Sequence, residues 1–133
     1  MFLSTKKGCH FDRGPVQESV ARLLRAELDA AGLGAVAVSA SDENTVDEAR
    51  MTWGNFSAAT QAAVIARVNV HGYQQGGGRR DLLYAEVSAV GGTGLWNSEY
   101  GENDASGMSL AANLHLDFFY LHNTAWVYWQ GQC

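Results

Sequence analysis

One proline, Pro15, occurs in the 133 residues of this sequence. With so little proline, and no repeat or low-complexity segment, nothing marks an interdomain linker, and the chain reads as one domain. Cysteine is almost as scarce. Cys9 and Cys133 are the only two; they could pair, but two cysteines do not define a disulfide scaffold. Positive charge is also short, with 9 Lys and Arg against 14 Asp and Glu and a net charge of −5. That argues against a nucleic-acid partner, whose binders carry a basic stripe. No apolar run approaches the roughly 20 residues of a membrane span, so no membrane partner is expected. Met1-Phe2-Leu3 gives way at once to Ser4, Thr5, Lys6 and Lys7, which is not the core of a signal peptide. Hydrophobic residues make up 47% and charged residues 17%, the composition of a globular chain.

The stretch Leu95-Trp96-Asn97-Ser98-Glu99-Tyr100-Gly101 reads as a short strand that ends on a carboxylate. Gly91, Gly92 and Gly94 mark the turn before it and Gly101 the break after it. Trp96, Tyr100, Glu102 and Asp104 crowd around Glu99, and aromatics beside a carboxylate suit a sugar site.

The remaining chain alternates between helical and strand patterns. A helix is expected from about Val16 to Ala31, with Val16, Val20, Leu23, Leu24 and Leu28 on one face, Pro15 in the first turn and Gly32 at the stop. Ala35 to Ser39 is a short β-branched strand closed by Ser41-Asp42-Glu43-Asn44. Thr45-Val46-Asp47-Glu48 has capping-box spacing, and Ser57 opens a second helical piece to about Ala63. A strand from Ile65 to Val70 ends at His71-Gly72-Tyr73, before a glycine-rich loop to Gly78. Helices follow at about Arg80 to Val90 and Gly107 to Leu121, and a last strand at Thr124 to Trp129. The strand ends near Ser41, Tyr73, Tyr100 and Trp129 are spaced by about 30 residues, the length of one βα unit. Four such units make half of an eight-stranded α/β barrel; a small open sheet with helices on both faces is the competing arrangement.

Leu95 to Gly101, Asp104-Ala105-Ser106-Gly107-Met108-Ser109-Leu110 and Thr124-Ala125-Trp126-Val127-Tyr128-Trp129-Gln130 together resemble the C-terminal half of a glycoside hydrolase family 30 catalytic barrel, in its endo-β-1,6-galactanase-like branch. Cys9-His10-Phe11-Asp12 and Val70-His71-Gly72-Tyr73-Gln74 fit the same pattern in the same order, so the likeness runs from about Gly8 to Gln130. It implies an α/β fold, a partial TIM barrel of about four βα units corresponding to strands five to eight. It implies a retaining O-glycoside hydrolase with Glu99 as nucleophile. By the same resemblance His71, Tyr73 and Trp129 line the sugar site, with Tyr73 placed to hydrogen-bond the nucleophile and Trp129 to stack on a sugar; Tyr100 beside Glu99, and Asp42 and Glu43 after a strand end, are further candidates for contact with substrate. Trp96 and Trp126 read as core. For Asp42 and Glu43 a solvated helix start is an equal reading.

Retaining hydrolysis needs a second carboxyl about 5–5.5 Å from the nucleophile, acting first as acid and then as base. In the resembled clan that Glu lies in an Asn-Glu-Pro tripeptide. Pro15 follows Gly14, so the tripeptide is absent and no acid/base is assigned in this chain. Met1 to Lys7 form an unmatched extension, and the whole of 1–133 is expected to be a single partial barrel domain, a fragment without the β-sandwich side domain. Two functional classes follow: the nucleophile-bearing half of a glycosidase, inactive alone, or an inactive remnant or weak carbohydrate-binding module. The expected partner is a galactan-type polysaccharide or oligosaccharide, with self-association through open sheet edges; an extracellular location is expected from the family.

No cofactor or metal is implied. Cys9, His10 and Asp12 are ligand types, but no second cluster completes a zinc site. Gly76-Gly77-Gly78-Arg79-Arg80 lacks the Gly-Lys-Ser/Thr spacing of a phosphate cradle and reads as a plain loop with a basic rim.

Overall fold

The structure, a computed structural model, describes residues 14–73, 77–101 and 104–129. The Cys9-His10-Asp12 loop, Glu102 and the Cys9–Cys133 pair fall outside these residues.

Helix α1 (Pro15–Ala30) has proline in its first turn and stops before Gly32, whose φ of 74° suits only a residue without a Cβ. Strand β1 is Val38–Ser39, shorter than the Ala35–Ser39 run suggests. Val36 is the reason: its N–H closes a turn onto Leu33 at 2.9 Å and its carbonyl accepts from Arg25 at 2.5 Å, so neither group is left for a ladder. Helices α2 (Val46–Asn55) and α3 (Ala58–Ala63) open on Thr45 and Ser57, whose hydroxyls accept the N–H groups of Glu48 and Thr60. Strand β2 (Ile65–His71), helix α4 (Arg80–Ser88) and strand β3 (Gly94–Tyr100) follow. The helix expected up to Leu121 is divided into α5 (Met108–Leu116) and a π-helical turn, Asp117–Leu121, before strand β4 (Ala125–Tyr128).

The four strands form one wholly parallel sheet in the order β1-β2-β3-β4. Each strand pairs with its neighbour in sequence, an α/β arrangement consistent with part of a barrel. Val68, Val70 and Leu95 are buried against Ala49, Trp53, Leu83, Val87 and Leu121 of the helices and the π turn. The alternate positions face the other way. There Asn69 donates to Ser39 at 3.1 Å, and the Arg67 guanidinium lies 6.0 Å from the Trp96 ring centre. Trp96 is therefore not core: its indole N–H bonds Thr124 at 3.0 Å and the residue is 37% exposed. The buried helix residues join Val68, Val70 and Leu95 in a single core cluster.

Candidate active site

A strand with strict alternation would send Glu99 to the same side as Leu95 and Asn97, into the helices. The register prevents this. Val70 pairs with Asn97 and His71 with Glu99, so one step along β2 matches two along β3. This bulge reverses the alternation, as bulges beside active sites do. Asn97 is fully buried, Glu99 comes out on the His71 side, and Tyr100 turns inward to 1% exposure.

Two side chains approach the Glu99 carboxylate, and three more hold these in place. The Tyr73 hydroxyl donates to Glu99 Oε1 at 3.0 Å, and His71 Nδ1 lies 3.9 Å from the same oxygen. His71 Nε2 is 3.4 Å from Asp42 Oδ1, and Nδ1 is 3.1 Å from Asn44 Oδ1. Ser98 donates to Asp42, tying the β1 loop to the bulge. Asp42 adopts a φ of 65°, which its short side chain tolerates.

Each shift in ionisation follows from these contacts. Burial is the largest influence on Tyr73 and, with the Glu99 hydrogen bond and charge, pushes its phenol up to about 12. Burial, the largest single influence on His71, favours the neutral ring, but the Asp42 hydrogen bond and the charges of Asp42, Glu99 and Glu43 together outweigh it and raise the value. The His71 hydrogen bond, joined by that of Ser98, holds Asp42 below the ordinary carboxylate range against its own desolvation. Glu99, Tyr73, His71 and Asp42 thus converge at the C-terminal ends of β1, β2 and β3.

Other expected residues sit differently. Glu43 is 8% exposed and accepts from Thr52 of α2 at 2.6 Å, so it faces the helices and not a substrate rim. Its main chain bridges to β2, which fixes that direction. Tyr100 supports the site from beneath: its ring stacks on Tyr73 at 5.7 Å and is packed on its far side by Trp126. Trp126 points to the helix side, bonding buried Asp117 at 3.0 Å. Trp129 follows β4, its N–H bonded to the Tyr100 carbonyl at 2.7 Å and its residue 45% exposed. Its main chain lies so close to Gly101 that a Cβ there would be 1.4 Å from the Trp129 carbonyl oxygen.

Sequence reasoning missed Asn97, Asn113 and Asp117, buried polar groups beneath the bulge. The signal was present: Asp117 interrupts the apolar run Leu116-Asp117-Phe118-Phe119, and Asn113 stands one turn before it. Two surface depressions, of about 260 Å³ beside Arg79 and Tyr120 and about 520 Å³ at the N-terminal ends of the strands, lie away from Glu99. Among the described residues the Glu99 cluster forms a ledge at the C-terminal edge of the sheet, with the Glu99 side chain 29% exposed. Among the described residues no group of His, Cys, Asp and Glu is arranged to hold a metal ion, and no helix is long and apolar enough to cross a membrane.

Over 127 residues the chain is 53% identical to an endo-beta-1,6-galactanase of Hypocrea rufa. It has a galactanase-like relative. The match takes in 96% of this chain and 26% of the relative, so the chain spans about a quarter of that protein's length. No protein-family model matches, and no solved structure matches.

Proposed function

We propose that this chain is the nucleophile-bearing part of a retaining β-glycosidase of the endo-β-1,6-galactanase type, in glycoside hydrolase family 30, and that its four βα units correspond to strands five to eight of a (β/α)8 barrel. The observation that carries the reading is Glu99, bulged out at a strand end and held by the Tyr73 hydroxyl, in a chain 53% identical to a galactanase. Glu99 attacks the anomeric carbon. Tyr73 keeps one carboxylate oxygen engaged, leaving the other to react. His71 and Asp42 contact sugar hydroxyls on the ledge, and Trp129 offers a ring on which a sugar stacks. The acid/base carboxyl comes from outside these residues, in the longer enzyme, which acts extracellularly on a galactan-type polysaccharide.

Without a general acid, a sugar alkoxide leaves about 10²- to 10⁴-fold more slowly, so the purified chain releases no measurable reducing ends from β-1,6-galactan. A β-galactosyl fluoride carries its own good leaving group and partly bypasses the acid. Trace turnover of the fluoride by the wild type, lost in Glu99→Gln, is the expected result. Turnover that survives the substitution would remove Glu99 from the nucleophile role.

A further inference from the structure

Beneath the ledge, on the helix side of the sheet, lies a polar cluster that plays no part in the attack itself. Asp117 is 1% exposed and receives four donors. Arg80 Nε reaches its Oδ1 at 2.6 Å. Its Oδ2 accepts from Asn97 Nδ2 at 2.5 Å, from Asn113 Nδ2 at 3.0 Å and from Trp126 Nε1 at 3.0 Å. Arg80 also donates to Asn113 Oδ1 at 2.8 Å, which fixes that amide in turn. The side chains of Arg80 and Asp117 are only 2% and 1% exposed. A buried ion pair of this kind is weak evidence for stability, because apolar residues of the same volume commonly do as well or better. Its value lies in direction.

Asn97 transmits that direction. A carboxylate only accepts, so Asn97 must turn its NH2 toward Asp117. Its Oδ1 then faces the opposite way and accepts the Glu99 N–H at 3.1 Å. Glu99 is the residue that follows the extra residue of the bulge, Ser98, and pairs with His71. Gly72 permits the close fit: a Cβ there would lie 2.3 Å from Asn113 Nδ2 and 3.0 Å from Asn97 Nδ2. We propose that Asp117 is a positioning residue for Glu99, fixing the Asn97 amide so that its oxygen pins the bulged main chain and aims the carboxylate at the ledge. The use of this device in catalysis rests on the nucleophile reading; its existence does not.

The test compares Asp117→Asn and Asn97→Ala in the full chain, with Val87→Ala as a control that weakens the core away from the cluster. Amide hydrogen exchange at Glu99 and the NMR titration of 13C-labelled Tyr73 are read under conditions where each variant is folded. Both readouts are independent of hydrolysis, so their failure is distinct from failure of the glycosidase reading. In Asp117→Asn and in Asn97→Ala, the Glu99 amide should exchange at least about tenfold faster relative to neighbouring β3 amides. The Tyr73 titration should fall from about 12 part of the way toward an ordinary tyrosine. Val87→Ala should leave both unchanged. If Asp117→Asn does not fold, Asn97→Ala decides alone, since it removes the relay and leaves the Arg80–Asp117 pair intact. Lowered stability with an unchanged Glu99 amide and Tyr73 titration would overturn the proposal.

Discussion

His71 stands between two carboxylates, and their negative charge favours its protonated form. Nε2 faces Asp42 at 3.4 Å and Nδ1 lies 3.9 Å from Glu99. The raised His71 value means the folded state binds its proton more tightly, a contribution complete below the ordinary histidine value and lost as pH rises through the folded one. The lowered Asp42 value acts in the opposite sense: its contribution is present above the ordinary carboxylate value and lost as pH falls through the folded one. The pair is therefore most stabilising between about pH 4 and 6.5. In melting curves from pH 3 to 9, wild type minus His71→Asn should give a Tm difference that peaks in that window and shrinks on both sides. A difference independent of pH would show that the imidazole charge is not coupled to folding.

The element that decides the site is β3, and its decisive irregularity was not legible in the sequence. Glu99, His71 and Tyr73 could be placed together because each ends a strand recognisable from its apolar run and flanking glycines. His71 and Tyr73, two apart, read as sharing a face, but the side on which Glu99 emerges could not be read. No glycine or proline marks the bulge between Asn97 and Tyr100, so alternation gives the wrong face for both Glu99 and Tyr100. Glu43 was misplaced for a related reason, since a carboxylate after a strand looks solvated until its Thr52 partner on α2 is known. The apolar run around Asp117 marks it as a buried acid, but its role was not legible, because its donors come from α4, α5, β3 and β4 and nothing local predicts that convergence. The same crowding makes Gly72 sensitive. Gly72→Ala would press a methyl group against Asn113, Tyr100 and Asn97. Overpacking of this kind costs about 1–3 kcal/mol, or a Tm loss of roughly 3–12 °C in a domain of this size. Thermal unfolding measures it, and an unchanged Tm would mean that the β2 end has room to shift.

At the scale of the whole molecule, the described sheet has two unlike faces and, among the described residues, two edges with no further strand. Helices cover the Val68 and Leu95 side, while Trp96 and Val127 remain 37% and 49% exposed. Among the described residues β1 pairs only with β2, and β4 only with β3. Unpaired parallel edges beside an apolar surface invite other strands. Sedimentation of the isolated chain should therefore show self-association that grows with concentration; a monodisperse monomer with a sharp melt would count against a partial barrel. The order of the strands has a further consequence, for the way the chain acquires its shape. Every hydrogen-bonded strand pair is also a pair of neighbours along the polypeptide, so no strand waits for a partner from the far end of the sequence. A chain emerging from the ribosome can lay each βα unit against the one already folded. The carboxylate on β3 then reaches its place only after β2 has supplied the histidine and tyrosine that receive it.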